Sequence, residues 1–221
     1  MVPYTVEVLV SLFGRYNETL WPAGVVAPII AVLLTGLLYK GGLRGLRMML
    51  VGLAVGWAVT GGAFHWLWMS ELSWGGVWIG ALFLVQSAIL LWVAVTLSAR
   101  STAPVHTWQS VAGWIVILLG ALGYSLAAAW GPFGWAAMPI VGVAPLPTTL
   151  LTFGVLVLHS PRLGVIPGVL PSLWAVFTAM EAWSLPLYPD LLLPAGALLW
   201  GGVILGGQII PALKRPTQSA Q

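Results

Sequence analysis

The chain has 221 residues, of which 60% are hydrophobic and 6% charged, and its mean hydropathy is +1.00. A soluble domain carries about 25% charged residues, so this composition excludes a water-soluble globular fold. There is no cysteine, which excludes disulfides, thiolate metal sites and cysteine nucleophiles. The net charge of +3 comes from eight basic residues set against five acidic ones. The basic residues lie scattered between apolar runs and form no phosphate-tracking stripe, so nucleic acid is excluded as a partner.

The first 20 residues lack the basic leader and continuous apolar core of a signal peptide. Val6, Val8, Leu9, Leu12, Phe13 and Leu20 alternate there with Glu7, Arg15, Asn17 and Glu18. This pattern predicts a short amphipathic helix lying on the membrane surface. A membrane helix needs roughly 20 mostly apolar residues. Seven such stretches follow, at 21–39, 46–69, 74–97, 108–130, 138–158, 163–183 and 191–213. The expected fold is an all-α integral membrane bundle of seven transmembrane helices over residues 21–213. The interfacial amphipathic helix (1–20) precedes it and a short tail (214–221) follows.

Charge sets the expected orientation. Lys40, Arg44, Arg47, Arg100, Arg162, Lys214 and Arg215 fall on one side of such a bundle, and Glu7, Glu18, Glu71, Glu181 and Asp190 fall on or near the other. Basic loops stay cytoplasmic, so the N-terminus is expected outside and the C-terminus in the cytoplasm. Close packing through small residues holds membrane helices together. The pairs Gly52/Gly56, Gly76/Gly80 and Gly202/Gly206 therefore predict inward packing of the second, third and seventh spans. Of the fourteen tryptophans, Trp21, Trp66, Trp68, Trp74, Trp78, Trp130, Trp135 and Trp183 fall near the outer boundary. There they read as an aromatic belt or as an aromatic-walled docking surface. Trp57, Trp92, Trp114, Trp174 and Trp200 fall deeper, and a buried indole N–H needs an acceptor.

Polar groups inside a membrane are costly and so become candidates for function. His65 lies in Phe64-His65-Trp66-Leu67-Trp68 near the outer end of the second span, with Glu71 at its mouth. Glu181 lies at a similar depth in the sixth span, Asp190 opens the seventh, and Tyr16 and Asn17 of the surface helix fall at the same level. Together these predict a polar cluster open to the outside, in which His65 pairs with Glu181. The fifth span carries a second feature, Pro145-Leu146-Pro147-Thr148-Thr149. Two prolines there remove backbone donors, and a broken membrane helix marks substrate or ion sites in transporters. The residues expected to bind a ligand are thus His65, Glu181, Trp66, Glu71, Pro145, Pro147, Thr148, Thr149, Tyr16 and Asn17. Gln86, Tyr124 and Gln208 are candidates for further polar contacts.

No lysine falls within a span, which argues against a retinal Schiff base. His65 and His159 fall at opposite ends, which argues against a bis-histidine haem, and no metal-binding histidine pair is present. The cofactor, if any, is unspecified.

Tyr16-Asn17 with Trp21-Pro22-Ala23, Phe64-His65-Trp66, Gly142-Val143-Ala144-Pro145 with Pro147-Thr148-Thr149, and Phe153-Gly154 resemble, in the same order, a family of bacterial polytopic membrane proteins known as a domain of unknown function. The resemblance implies an integral membrane fold in the bacterial cytoplasmic (inner) membrane and implies no activity. Leu146 stands where members of that family often carry cysteine, which argues against a thiol-based role.

Two functions are compatible with these readings. One is transport or binding of a small molecule or ion through an outward-facing site between the second, fifth and sixth spans. The other is a non-catalytic accessory subunit of a larger membrane complex, with the Trp-rich outer half binding partner helices, lipids or pigments. The partners expected are the lipid bilayer and other membrane proteins or further copies of the chain. So few acid–base groups argue against an enzyme.

Overall fold

The computed structural model describes residues 4–102 and 105–213, with side chains placed as far as residue 206. Lys214 and Arg215, the tail 214–221, and the side chain of Gln208 lie outside the described residues. Among the described residues the fold is helical, with no strand.

Helix α1 (Val6–Thr19) begins where the Thr5 hydroxyl accepts the Val8 amide N–H, a side-chain N-cap. It meets α2 (Ala23–Tyr39) at 85°. Helix α3 (Gly42–Leu72) is a single 31-residue rod whose outer third, Thr60–Met69, winds as π-helix. Helix α4 is Gly75–Thr96 and α5 is Thr107–Ala129, the latter with a π-helical stretch at Leu119–Gly123. A single turn at Gly134–Ala137 leads into irregular backbone, then α6 (Pro145–His159), α7 (Ile166–Ser184) and α8 (Leu192–Leu213). Helices α3 and α4 run in opposite directions, as do α5 and α6, whose start and end meet where the Gln109 amide donates to the Val157 carbonyl. At one end the Arg47 Nε donates to the Ala94 carbonyl, and the His159 ring lies 3.3 Å from the Ser101 carbonyl. At the other end Tyr16 reaches Val143 and Tyr124 reaches Asp190.

Helix α6 is the axle of the bundle. Every residue from Pro145 to Leu158 is buried, with α5, α8, α7 and α3 packed around it. The tightest seam is with α5. A Cβ placed on Gly120 would overlap the Leu151 backbone, and one on Gly113 would stand 2.9 Å from the Leu158 backbone. Absence of side chains at these two places lets the helix backbones touch, which maximises dispersion contact where hydrophobic burial gives no gradient.

The glycine pairs divide. Gly56 packs on Gly142 and Thr148, and Gly76 and Gly80 pack on the outer turns of α3, as expected for the second and third spans. Gly202 and Gly206 face open space. The seventh-span pair is therefore not a packing seam, because α8 turns that side away from the bundle.

By length and composition, four helices can cross a membrane: Gly42–Leu72, Gly75–Thr96, Thr107–Ala129 and Tyr188–Gly206. A fifth is reached if the bent pair α1 and α2 counts as one. The expected fifth span differs most from its sequence reading. Residues 138–144 are not helical, and Pro145–His159 has only 15 residues. The two prolines do not interrupt a helix. They open one, in its first turn, where no intrahelical N–H is required.

If Gly120 holds the central seam, Gly120→Val lowers the stability of the purified protein by at least about 2 kcal/mol through overpacking. Gly202→Ala shifts it by no more than about 1 kcal/mol, in the stabilising direction. The midpoint of thermal unfolding followed by tryptophan fluorescence checks both.

Candidate functional site

Residues 138–144 carry backbone carbonyls into the bundle without helical partners. Such backbone persists in a membrane only when protein or water satisfies it. Tyr16 donates its hydroxyl proton to the Val143 carbonyl at 2.7 Å. The Asn17 side-chain amide donates to the Ala136 and Met138 carbonyls at 3.0 and 3.1 Å. Ser125 donates to the Pro139 carbonyl, and Thr148 accepts the Gly142 N–H while donating to the Ala144 carbonyl. Thr149 donates to the Pro145 carbonyl. Tyr16, Asn17, Pro145, Pro147, Thr148 and Thr149 thus come together as expected. The side-chain donors of Tyr16, Asn17, Thr148 and Thr149 are all spent on backbone carbonyls.

Helix α1 is fixed by the same bonds. Its face Leu9, Leu12, Phe13 and Tyr16 is buried against protein. Phe13 stacks on Phe64 with centroids 4.8 Å apart and meets Phe133 edge-on. The amphipathic pattern read as membrane contact is largely a contact with the bundle.

The predicted His65–Glu181 pair does not form. His65 lies in the π-helical part of α3 and is 1% exposed, ringed by Phe64, Phe83 and Trp174 at 4.6–5.3 Å between centroids. Neither ring nitrogen has a hydrogen-bond partner among the described residues. An extra residue per turn in this stretch alters which side chains face inward. Depth along the chain therefore did not give direction.

Glu181 has a different partner. The Tyr4 hydroxyl, just ahead of α1, donates to Glu181 Oε1 at 2.7 Å. Burial, and then the Glu181 carboxylate, push the Tyr4 phenol well above its ordinary range, so it stays a neutral donor. A second pair lies alongside: the Tyr124 hydroxyl donates to Asp190 Oδ1 at 2.6 Å. Asp190 sits in the 3-10 turn Tyr188–Leu191 that opens α8. The two carboxylates interact with each other and both interact with Tyr4 and Tyr124. Glu181 is 6% exposed and Asp190 2%. Among the described residues no basic side chain stands among the electrostatic partners of either. Among the described residues no group of three or more histidines and carboxylates is spaced to hold a metal ion.

Sequence reading placed Glu181 and Asp190 in one polar cluster and named Tyr124 only as a separate polar contact, and it missed Tyr4. The one available signal was that Tyr4 is the sole phenol of the leader ahead of the amphipathic run. Trp66 and Glu71 lie elsewhere. Trp66 donates its indole N–H to the Val77 carbonyl on α4. Glu71 lines an outer cleft of about 290 Å³ with Glu7, Ser11, Arg15 and Trp68. Gln86 donates to the Pro167 carbonyl, joining α4 to α7. A larger groove of about 830 Å³ runs between α7 and α8, with Glu181 in its wall.

Removing the Tyr16 donor leaves a buried carbonyl unsatisfied. Tyr16→Phe is expected to cost about 1–3 kcal/mol, and Asn17→Leu less, because its bonds to the Ala136 and Met138 carbonyls are exposed and part-buried. Thermal unfolding in detergent measures the loss. Equal stability of wild type and both variants would show that these bonds do not hold the segment.

No curated protein and no solved structure matches the chain. A family of unknown function, DUF6064, matches residues 6–212. That match runs from the start of α1 almost to the end of α8 and takes in every residue of the acid pair and its cover except Tyr4. The chain belongs to the DUF6064 family.

Proposed function

We propose that this chain spans the bacterial cytoplasmic membrane seven times, α2 to α8, and binds a small cation or cationic molecule at an outward-facing site formed by Glu181 and Asp190. Helix α1 covers the site through Tyr4, and transport follows if that cover lifts. The opposed directions of α3 and α4 and of α5 and α6 and the one-sided distribution of Lys40, Arg44, Arg47, Arg100 and Arg162 support an external N-terminus and a cytoplasmic C-terminus.

The observation that carries the binding reading is the acid pair itself. Two buried carboxylates interact with each other and, among the described residues, with no basic side chain. In a low-dielectric setting such a pair requires compensating positive charge, from a proton or a cation. Tyrosine hydroxyls supply hydrogen bonds but no charge. The site therefore selects positive ligands, and neutral Tyr4 can leave Glu181 without stranding an ion.

Absence of cysteine makes the topology simple to test. An impermeant maleimide is expected to label Ser184→Cys in intact cells and Ser98→Cys only after permeabilisation; the reverse would invert the bundle.

For the site, sodium, potassium and methylammonium are titrated against the purified protein while thermal unfolding is followed. A ligand at about 100 times its Kd stabilises by about 2.7 kcal/mol. The stabilisation is expected in wild type, absent in Glu181→Gln, and reduced in Asp190→Asn. If wild type and Glu181→Gln respond identically to all three cations and to acidification, the acid pair is structural.

A further inference from the structure

The groove between α7 and α8 has a composition that narrows the ligand. Its wall includes Val176, Met180, Pro194, Ala197 and Leu198, and Glu181 is its charged residue among those described. The lining spans residues 172–184 of α7, about 18 Å at the helical rise. Glu181, Trp183 and Ser184 mark the outer end, while Ser172, Trp200 and Gly201 mark the inner one. The side open to surroundings is strongly apolar: Met180 and Leu198 are exposed, and Trp183 is 94% exposed.

Two features bear on what fits. First, Glu181 places a carboxylate at the outer end, with no basic side chain among its electrostatic partners in the described residues. Second, Trp183 lines the groove beside it, and an indole face attracts a cationic head, quaternary ammonium included.

The geometry points to a single-chain cationic amphiphile as the ligand, its positive head at Glu181 and Trp183 and its acyl chain in the α7–α8 groove, entering sideways from the bilayer. This rests on the acid-pair reading and adds the tail. The positive head balances the acid pair, and the apolar wall accounts for a groove far larger than a metal ion or methylammonium needs. Lateral entry also explains how a ligand reaches carboxylates that Tyr4 and α1 close from above.

The test uses three probes on the full chain in lipid nanodiscs: palmitoylcholine (head, ester and tail), choline (head alone) and methyl palmitate (ester and tail without charge). Binding is read as the concentration giving half-maximal thermal stabilisation. Palmitoylcholine is expected to act at concentrations at least tenfold lower than choline, and methyl palmitate to have no saturable effect. Glu181→Gln is expected to reduce palmitoylcholine to the level of methyl palmitate. Gly201→Phe fills the groove from a position where an added Cβ meets nothing within 4 Å, so the fold is retained. It is expected to reduce palmitoylcholine to the level of choline and to leave choline unchanged. If palmitoylcholine and choline act alike and Gly201→Phe changes neither, the tail assignment is wrong while the acid-pair site stands. If palmitoylcholine and methyl palmitate act alike with no effect of Glu181→Gln, the groove takes bilayer chains regardless of charge, and both readings fall.

Discussion

The non-helical backbone of residues 138–144 must find hydrogen-bond donors inside a greasy bundle, and much of the structure follows from where it finds them. An unsatisfied carbonyl costs several kcal/mol in hydrocarbon. Tyr16 and Asn17 of α1 supply two of the required bonds, to Val143 and Met138, and Ser125 supplies another, to Pro139. Helix α1 is thereby seated on the protein. Once α1 is seated, its leading residue Tyr4 falls within bonding distance of Glu181, far along the chain. A requirement of backbone chemistry on one helix thus places the cover over a carboxylate on another.

The same segment allows α6 to begin late, at Pro145, and to run buried along its whole length. A 15-residue helix surrounded by longer ones does not face lipid and needs no belt of its own. Its contacts with α5 pass through glycines, which sets the tightness of the core. The polar residues of its first turn, Thr148 and Thr149, are consumed in closing that turn. What looked like an open break is a sealed helix start. Two places elsewhere in the bundle draw attention instead: the Glu181–Asp190 pair with its two phenols, and the caged ring of His65. The first combines charge with a groove that reaches lipid. The second is enclosed by three aromatic rings and lines no groove described above, so it fits a packing role at the α3–α4–α7 junction better than a ligand role.

How much was legible beforehand can be judged residue by residue. Apolar runs gave the helices α2 to α5, α7 and α8 to within a few residues, because hydropathy over such a length is a property of the segment alone. The amphipathic face of α1 was legible too, though its partner was not: Leu9, Leu12 and Phe13 fit lipid or protein equally well. Glu181 and Asp190 stood out by cost, since a carboxylate inside an apolar run is expensive wherever it points. The pairing of Glu181 with His65 was misjudged because the π-helical stretch Thr60–Met69 rotates the outer end of α3 away from an ideal α-helical register. The Gly202/Gly206 pair misled for a related reason, since spacing marks a smooth helix face but not which way that face is turned.

The amino-acid sequence by itself determined that the chain lives among apolar surroundings, where its long helices lie, and which few ionisable groups are buried at a cost. These are local sums over neighbouring residues, and no fold is needed to form them. Only the tertiary structure decided that Tyr4 covers Glu181, that Tyr124 holds Asp190, that Tyr16 and Asn17 donate to the backbone before α6, and that α7 and α8 part to leave a groove. Each of these depends on helix rotation and on contacts between residues distant in the chain. Those are fixed by packing of the whole bundle and by the search of every buried polar group for a partner.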